Sequence, residues 1–106
     1  QKTGMFLDQR YARYFLRSLI RGGERVLDVF CHSGGFAISA KKAGAGEVIG
    51  VDISDLALEL AKKNERLNNL SGIKWVQANA FDFLKGQHKA GEKYDIVIID
   101  PPSFAK

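Results

Sequence analysis

The chain has 106 residues, 45% of them hydrophobic and 26% charged, which bounds it to one globular domain with room for a modest core. Its single cysteine excludes an internal disulfide framework and suits a reducing, cytoplasmic setting; no apolar run approaches the roughly 20 residues of a membrane helix, and no signal-peptide pattern opens the chain. The formal net charge of +4 sits wholly in residues 1–25, where six basic side chains face two acidic ones, and this asymmetry points towards an anionic partner.

In chain order, residues 2–9 lack a clean period and read as a loop or short extended piece. A helix is expected from Arg10 to Ile20, with Ala12, Phe15, Leu16, Leu19 and Ile20 on one face and Arg10, Arg13, Arg17 and Arg21 on another. Gly22-Gly23 ends it. Val26 to Phe30 reads as a strand buried on both faces and interrupted by Asp28. Cys31-His32-Ser33 then turns the chain, and Gly34-Gly35 opens a helix to Ala43, the glycines allowing backbone to approach a ligand closely. After Gly44-Ala45-Gly46 a second strand runs from Glu47 to Val51 and closes on Asp52. Ser54 caps a long helix to Leu67, with Asp55 near its positive end and Leu56, Leu60, Ala61 and Leu67 as its apolar face. Residues 68–72 form a loop and Ile73 to Val76 a third strand. A short helix follows over Asn79 to Leu84, then a polar connection from Lys85 to Lys93. Tyr94 to Ile99 is the fourth strand, ending in Asp100-Pro101-Pro102. This alternation predicts an α/β fold with a doubly wound parallel sheet and right-handed crossovers. The start at Gln1 and the strand signal at the far end suggest a piece of a longer protein.

In such a sheet the carboxyl ends of the strands line one crevice where small ligands bind. Asp52, Asn79 and Asp100 each follow a strand, and Asp28 lies within the first. Asp52 stands 24 residues after Asp28, where a carboxylate takes both hydroxyls of a ribose. Asn79 can address an adenine edge while Phe81 or Ile53 flanks the ring. These residues describe an adenosine site. The turn Phe30-Cys31-His32-Ser33-Gly34-Gly35 lacks the G-x-G-x-x-G of a dinucleotide site, and no G-x-x-x-x-G-K-[ST] phosphate loop is present. A ligand with an ammonium and a carboxylate but no phosphates fits these acids and glycines, and S-adenosylmethionine meets that description.

The order and spacing of Lys2-Thr3-Gly4, Phe6 to Arg10, Phe30 to Ala37, Asp52-Ile53-Ser54 and Asp100 to Phe104 resemble the class I S-adenosylmethionine-dependent methyltransferases across nearly the whole chain. Within them the chain looks most like the 23S (large-subunit) ribosomal RNA enzymes that methylate cytosine carbon 5 and carry a PUA domain ahead of the catalytic one. The resemblance implies a Rossmann-like core with strand order 3-2-1-4. Residues 1–25 would precede that core, and residues 26–106 would be the N-terminal half of the cofactor-binding domain. It implies that Phe30, Ser33, Gly34, Gly35 and Phe36 meet the methionine part of the cofactor. Asp52, Ile53 and Ser54 would hold the ribose side, and Asn79, Ala80 and Phe81 the adenine. Thr3, Phe6, Gln9 and Arg10 would fold over the cofactor, the last two reaching its carboxylate. Asp100, Pro101 and Pro102 would face the target base, with Asp100 also beside the cofactor. Asn79 stands where the family more often has Asp, so its amide oxygen would carry the adenine contact, with Asp82 as the alternative.

In the amine methyltransferases an aromatic ring directly follows the two prolines; here Ser103 intervenes before Phe104, which argues against exocyclic amine methylation. Carbon-5 chemistry needs a cysteine thiolate. In the resembled enzymes it follows a fifth strand, so this chain is expected to bind the methyl donor without the nucleophile. Guanine N7 methylation of the same RNA, or a non-catalytic adenosine- or RNA-binding module, are the rival readings. No metal and no membrane are expected. Asp28 is either a backbone-bonded acid or a direct ligand. Cys31 reads as inert packing, His32 as an exposed loop residue, and Trp75 as a core or sheet-edge aromatic. The arginine stripe is a solvated face or an RNA contact, and His88 has no assignable role.

Overall fold

Apolar runs at period 2 and glycine punctuation produce eight elements in the computed structural model, which describes the backbone of residues 9–101 and side chains from Arg13 onward. They are α1 (Gln9–Leu19), β1 (Arg25–Val29), α2 (Gly35–Lys42), β2 (Glu47–Asp52), α3 (Asp55–Leu67), β3 (Lys74–Gln77), α4 (Ala80–Lys89) and β4 (Ile96–Ile99). The strands form one parallel sheet in the order β3-β2-β1-β4, as the resemblance implied. Val29 pairs with both Val51 and Ile99, and Asp52 with Gln77, so all four strands end at one rim.

Alternation along the strands sends side chains to two cores. Val26 and Val48, with half-buried Trp75, Ile96 and Ile98, meet Leu16 and Ile20 of α1 and Ala37, Ile38 and Ala40 of α2. Leu27, Val29, Ile49 and Val51 point the other way, under Ala80, Phe83 and Leu84 of α4. Each fully buried Val or Leu contributes roughly 1.5–3 kcal/mol, and β1 concentrates three of them (Val26, Leu27, Val29) at 1% exposure or less. Central β1 is therefore the anchor for everything that follows it. Apolar β4 is one of the sheet's two outer strands among the described residues, with Val97 and Ile99 exposed on the face that α4 leaves bare.

Three sequence expectations are corrected. On α3 the buried row is Leu58, Ala61 and Glu65, while Leu56, Leu60 and Leu67 are exposed. Glu65 earns its place through hydrogen bonds: its carboxylate accepts from the Ile73 backbone N–H and the Trp75 indole N–H, both at 2.9 Å, and so pins β3 to the helix. On α1 Leu16 and Ile20 are buried but Phe15 and Leu19 are about half exposed, because the helix packs against α2 along a narrow i, i+4 row. Helix α4 runs on to Lys89 through what read as a polar connection. Only Ala80 of α4 is fully buried, so its apolar period is too thin to mark its length.

Candidate functional site

The turn from β1 into α2 is built from unusual backbone. Phe30, His32 and Gly34 all have positive φ, at 64°, 53° and 89°, and a non-glycine residue in this region costs roughly 1–2 kcal/mol. Hydrogen bonds over-determine the shape. Cys31 N–H donates to the Val51 carbonyl at 2.9 Å and Gly34 N–H to the Cys31 carbonyl at 2.8 Å. His32 N–H donates to Asp52 Oδ2 at 2.9 Å, and Ala37 N–H to Asp28 Oδ2 at 3.2 Å. The His32 ring reaches across the rim, with Nε2 at 3.1 Å from the Asp100 carbonyl, a contact that requires the Nε2–H tautomer. Three carboxylates, Asp28, Asp52 and Asp100, thus border one turn.

Asp28 is fully buried, and its second oxygen, Oδ1, has no hydrogen-bond partner among the described residues. Burial pushes its carboxyl up to about 7, reinforced by the Asp100 and Asp52 charges and opposed by the Ala37 hydrogen bond. One oxygen therefore realises the backbone reading, while the other is an acceptor without a donor, suited to a cation or N–H group. Cys31 is buried beside it, and burial followed by the Asp28 and Asp52 charges pushes its thiol up, which makes it an inert packing residue.

Asp52 joins the first turn to the second. Its Oδ2 takes His32 N–H and its Oδ1 takes Ser54 N–H at 2.9 Å, leaving each oxygen a further lone pair for a ligand hydroxyl. Ser54 caps α3, accepting from Ala57 N–H at 3.1 Å. Exposed Ile53 lies next along the rim. Asn79 caps α4, and its amide oxygen accepts from both Phe81 N–H and Asp82 N–H. Both lone pairs are thereby used, which leaves the amide NH₂ as the group that Asn79 can turn to a ligand. Ala80 is buried behind it. Phe81 is 68% exposed and meets the edge of Phe30 at 6.0 Å between ring centroids, which gives the rim an open aromatic wall.

The glycines serve packing first. A Cβ on Gly34 would lie 2.8 Å from the Trp75 ring and 3.1 Å from Ala61, so its bare side faces protein rather than ligand. A Cβ on Gly35 would lie 2.9 Å from the Arg13 guanidinium, which rests over the start of α2. Arg13, Cys31, His32, Ser33, Phe36 and Asp100 border a cleft of about 40 Å³ beside Gly35, room for one small polar group. That volume is too small for a nucleoside. Among the described residues Arg13 is the one permanent cation on this cleft. Arg13 and His32 are the residues that the sequence left in the background. Arg13 shares the i, i+3, i+7 row of Leu16 and Ile20, a signal available in the sequence; the reach of His32 to Asp100 depends on strand order and had none.

Thr3, Phe6, Pro102, Ser103 and Phe104 lie outside the described residues, as do the side chains of Gln9, Arg10 and Ala12; Pro101 is exposed at the end of the rim. Among the described residues no cluster of His, Cys, Asp or Glu could hold a metal ion, and no helix is long and apolar enough to cross a membrane.

A family model for S-adenosylmethionine-dependent methyltransferases matches residues 1–106. The chain is 42% identical over 107 residues to ribosomal RNA large subunit methyltransferase I of Aeromonas hydrophila, covering 99% of this chain and 27% of that protein. A Methanocaldococcus jannaschii protein, named as a candidate ribosomal RNA large subunit methyltransferase, is 48% identical over 108 residues, covering 100% and 28%. The fold superposes on a candidate methyltransferase solved in complex with S-adenosylhomocysteine with a TM-score of 0.83 and 35% identity, covering 98% of this chain and 28% of that one. The chain thus spans a little over a quarter of the length of these relatives.

Proposed function

The chain belongs to the S-adenosylmethionine-dependent methyltransferases, and from that premise we propose that it forms the N-terminal part of the donor-binding domain of an enzyme methylating large-subunit ribosomal RNA. In this reading residues 26–106 are the first half of the catalytic domain and residues 1–25 precede it. The observation that carries the proposal is Asp52 at the rim: a buried carboxylate, already fixed by two backbone N–H groups, with a lone pair left on each oxygen.

S-adenosylmethionine, when bound, supplies a methyl group made electrophilic by a sulfonium. The chain's own residues orient it. Asp52 takes the ribose hydroxyls, with Ser54 beside it. Ile53 and Phe81 flank the adenine, and Asn79 and Ala80 address its edge. Asp28, sealed behind the turn, adds its negative charge to the field at the ammonium without touching it. Phe30, Ser33, Gly34, Gly35 and Phe36 shape the methionine end; Arg13, with Gln9 and Arg10, takes its carboxylate, and Thr3 and Phe6 fold over the cofactor. Asp100, Pro101 and Pro102 face the target base, and Pro101 lacks an N–H, so carbonyls are left to meet the substrate.

For the base itself we infer cytosine carbon 5. Ser103 between the prolines and Phe104 supports this reading over exocyclic amines. Carbon-5 chemistry requires a thiolate that adds to carbon 6, a methyl group taken at carbon 5, then loss of the carbon-5 proton to a base and departure of the thiolate. Buried Cys31, its thiol pushed up, is unsuited to that role, so the nucleophile belongs elsewhere in the full-length protein. Calorimetry on that protein tests the donor reading. S-adenosylmethionine and S-adenosylhomocysteine should bind while NAD and ATP do not; comparable binding of NAD or ATP would overturn it.

A further inference from the structure

A second concavity adjoins the rim and is left unused by methyl transfer. It runs along the outer face of α2, between Arg13 and Arg17 of α1 and Asn64 of α3 with the Asn68 that caps it, with Ser39 and Lys42 on its floor and a volume of about 460 Å³. Arg13 borders both this groove and the cleft at Gly35, so the two adjoin. Three cations line the groove and, among the described residues, no acid does. Arg13 Nε is buried without a hydrogen-bond partner among those residues, and the guanidinium rests over the positive end of α2. Arg13 stands at the positive end of α2 while Lys42 lies in its last turn, so the cations are spread along the groove, and like charges so placed repel unless an extended anion lies among them.

The walls are polar and preset: Asn64 Nδ2 donates to the Ser33 carbonyl and Lys42 Nζ to Asn68 Oδ1, each at 3.1 Å. No aromatic ring lines the groove among the described residues, so it offers hydrogen bonds and charge but no surface for stacking a base. Its occupant is thus a chain of phosphates rather than a nucleobase. We propose that this groove seats the sugar–phosphate backbone of the RNA substrate next to the nucleotide presented at the rim. The proposal rests on the reading of this protein as an RNA methyltransferase and extends it to where the strand runs.

The test uses the full-length protein, a large-subunit ribosomal RNA transcript and a salt series from about 50 to 200 mM, the range over which phosphate contacts are lost. Arg17→Glu combined with Lys42→Glu spares Arg13 and the rim. It should weaken RNA binding at least tenfold at the lowest salt and flatten the log–log salt slope by about 0.7–0.9 per lost contact. S-adenosylhomocysteine affinity, measured on the same samples, should stay at the parental value. Arg17→Gln with Lys42→Gln, a milder pair, should shift both RNA readouts in the same direction. RNA affinity and slope equal to the parent in either variant overturn the proposal. So does a lowered melting temperature with an unchanged slope, which would mean that a protein segment covers the groove. If the parent itself fails to bind S-adenosylhomocysteine, the donor reading falls, while the slope comparison still decides the groove.

Discussion

Between β1 and α2 the backbone takes Phe30, His32 and Gly34 through positive φ within five residues; between β2 and α3 it needs only Ile53 and an extended Ser54 before the helix begins. The first turn is costly in itself and is held by its surroundings: Asp52 accepts its His32 N–H, Asp28 accepts the Ala37 N–H in the first turn of α2, and Trp75 fills the space beside Gly34. The second turn is cheap, locally capped, and presents its carboxylate to both turns. Strain thus gathers in the turn that its surroundings hold, and ordinary geometry suffices in the turn that a local cap completes.

Substitutions in the two turns should differ in size accordingly. Gly34→Ala adds a Cβ at φ +89° and 2.8 Å from Trp75, so left-handed strain and overpacking together should cost about 2–4 kcal/mol in urea unfolding. A loss under about 0.5 kcal/mol would show that Trp75 yields freely and that the turn is not over-determined. Asp28→Asn separates charge from shape. Because the folded carboxyl is raised to about 7, its favourable protonated state is fully present below the unfolded value near 4 and is lost as pH rises through 7. The variant should therefore gain stability over the parent at pH 8 and not at pH 4, read from thermal melts at both; an equal difference at the two pH values would remove the buried charge from the account. Ser54→Ala removes only the cap of α3 in the second turn and should cost about 1 kcal/mol, the smallest of the three.

The central strands were legible because β1 and β2 are buried on both faces, so apolar runs and glycine breaks mark them directly, while their order came from the resemblance. The carboxylates after successive strands were legible for a related reason: in a parallel sheet, position in sequence fixes position on the rim. What the sequence hid was polar burial. Glu65 breaks the apolar row of α3 for any reading by polarity, and its partners, Ile73 N–H and Trp75 N–H, come near only once β3 is in place. The cap on Asn79 was similarly invisible as a competitor for the amide oxygen expected to meet adenine. Arg13 looked like one charge in a solvated stripe; the α1–α2 packing turns it over Gly35.

The central claim is that the Asp52 carboxylate holds the ribose of a sulfonium nucleoside, and titration of S-adenosylhomocysteine into the full-length protein and its Asp52→Asn form tests it most directly. Loss of one charge-assisted hydrogen bond, at about 1.5–3 kcal/mol, predicts an affinity at least tenfold weaker in the variant, with both proteins shown to be folded by their melting transitions. A folded Asp52→Asn protein that binds S-adenosylhomocysteine as tightly as the parent would contradict the account.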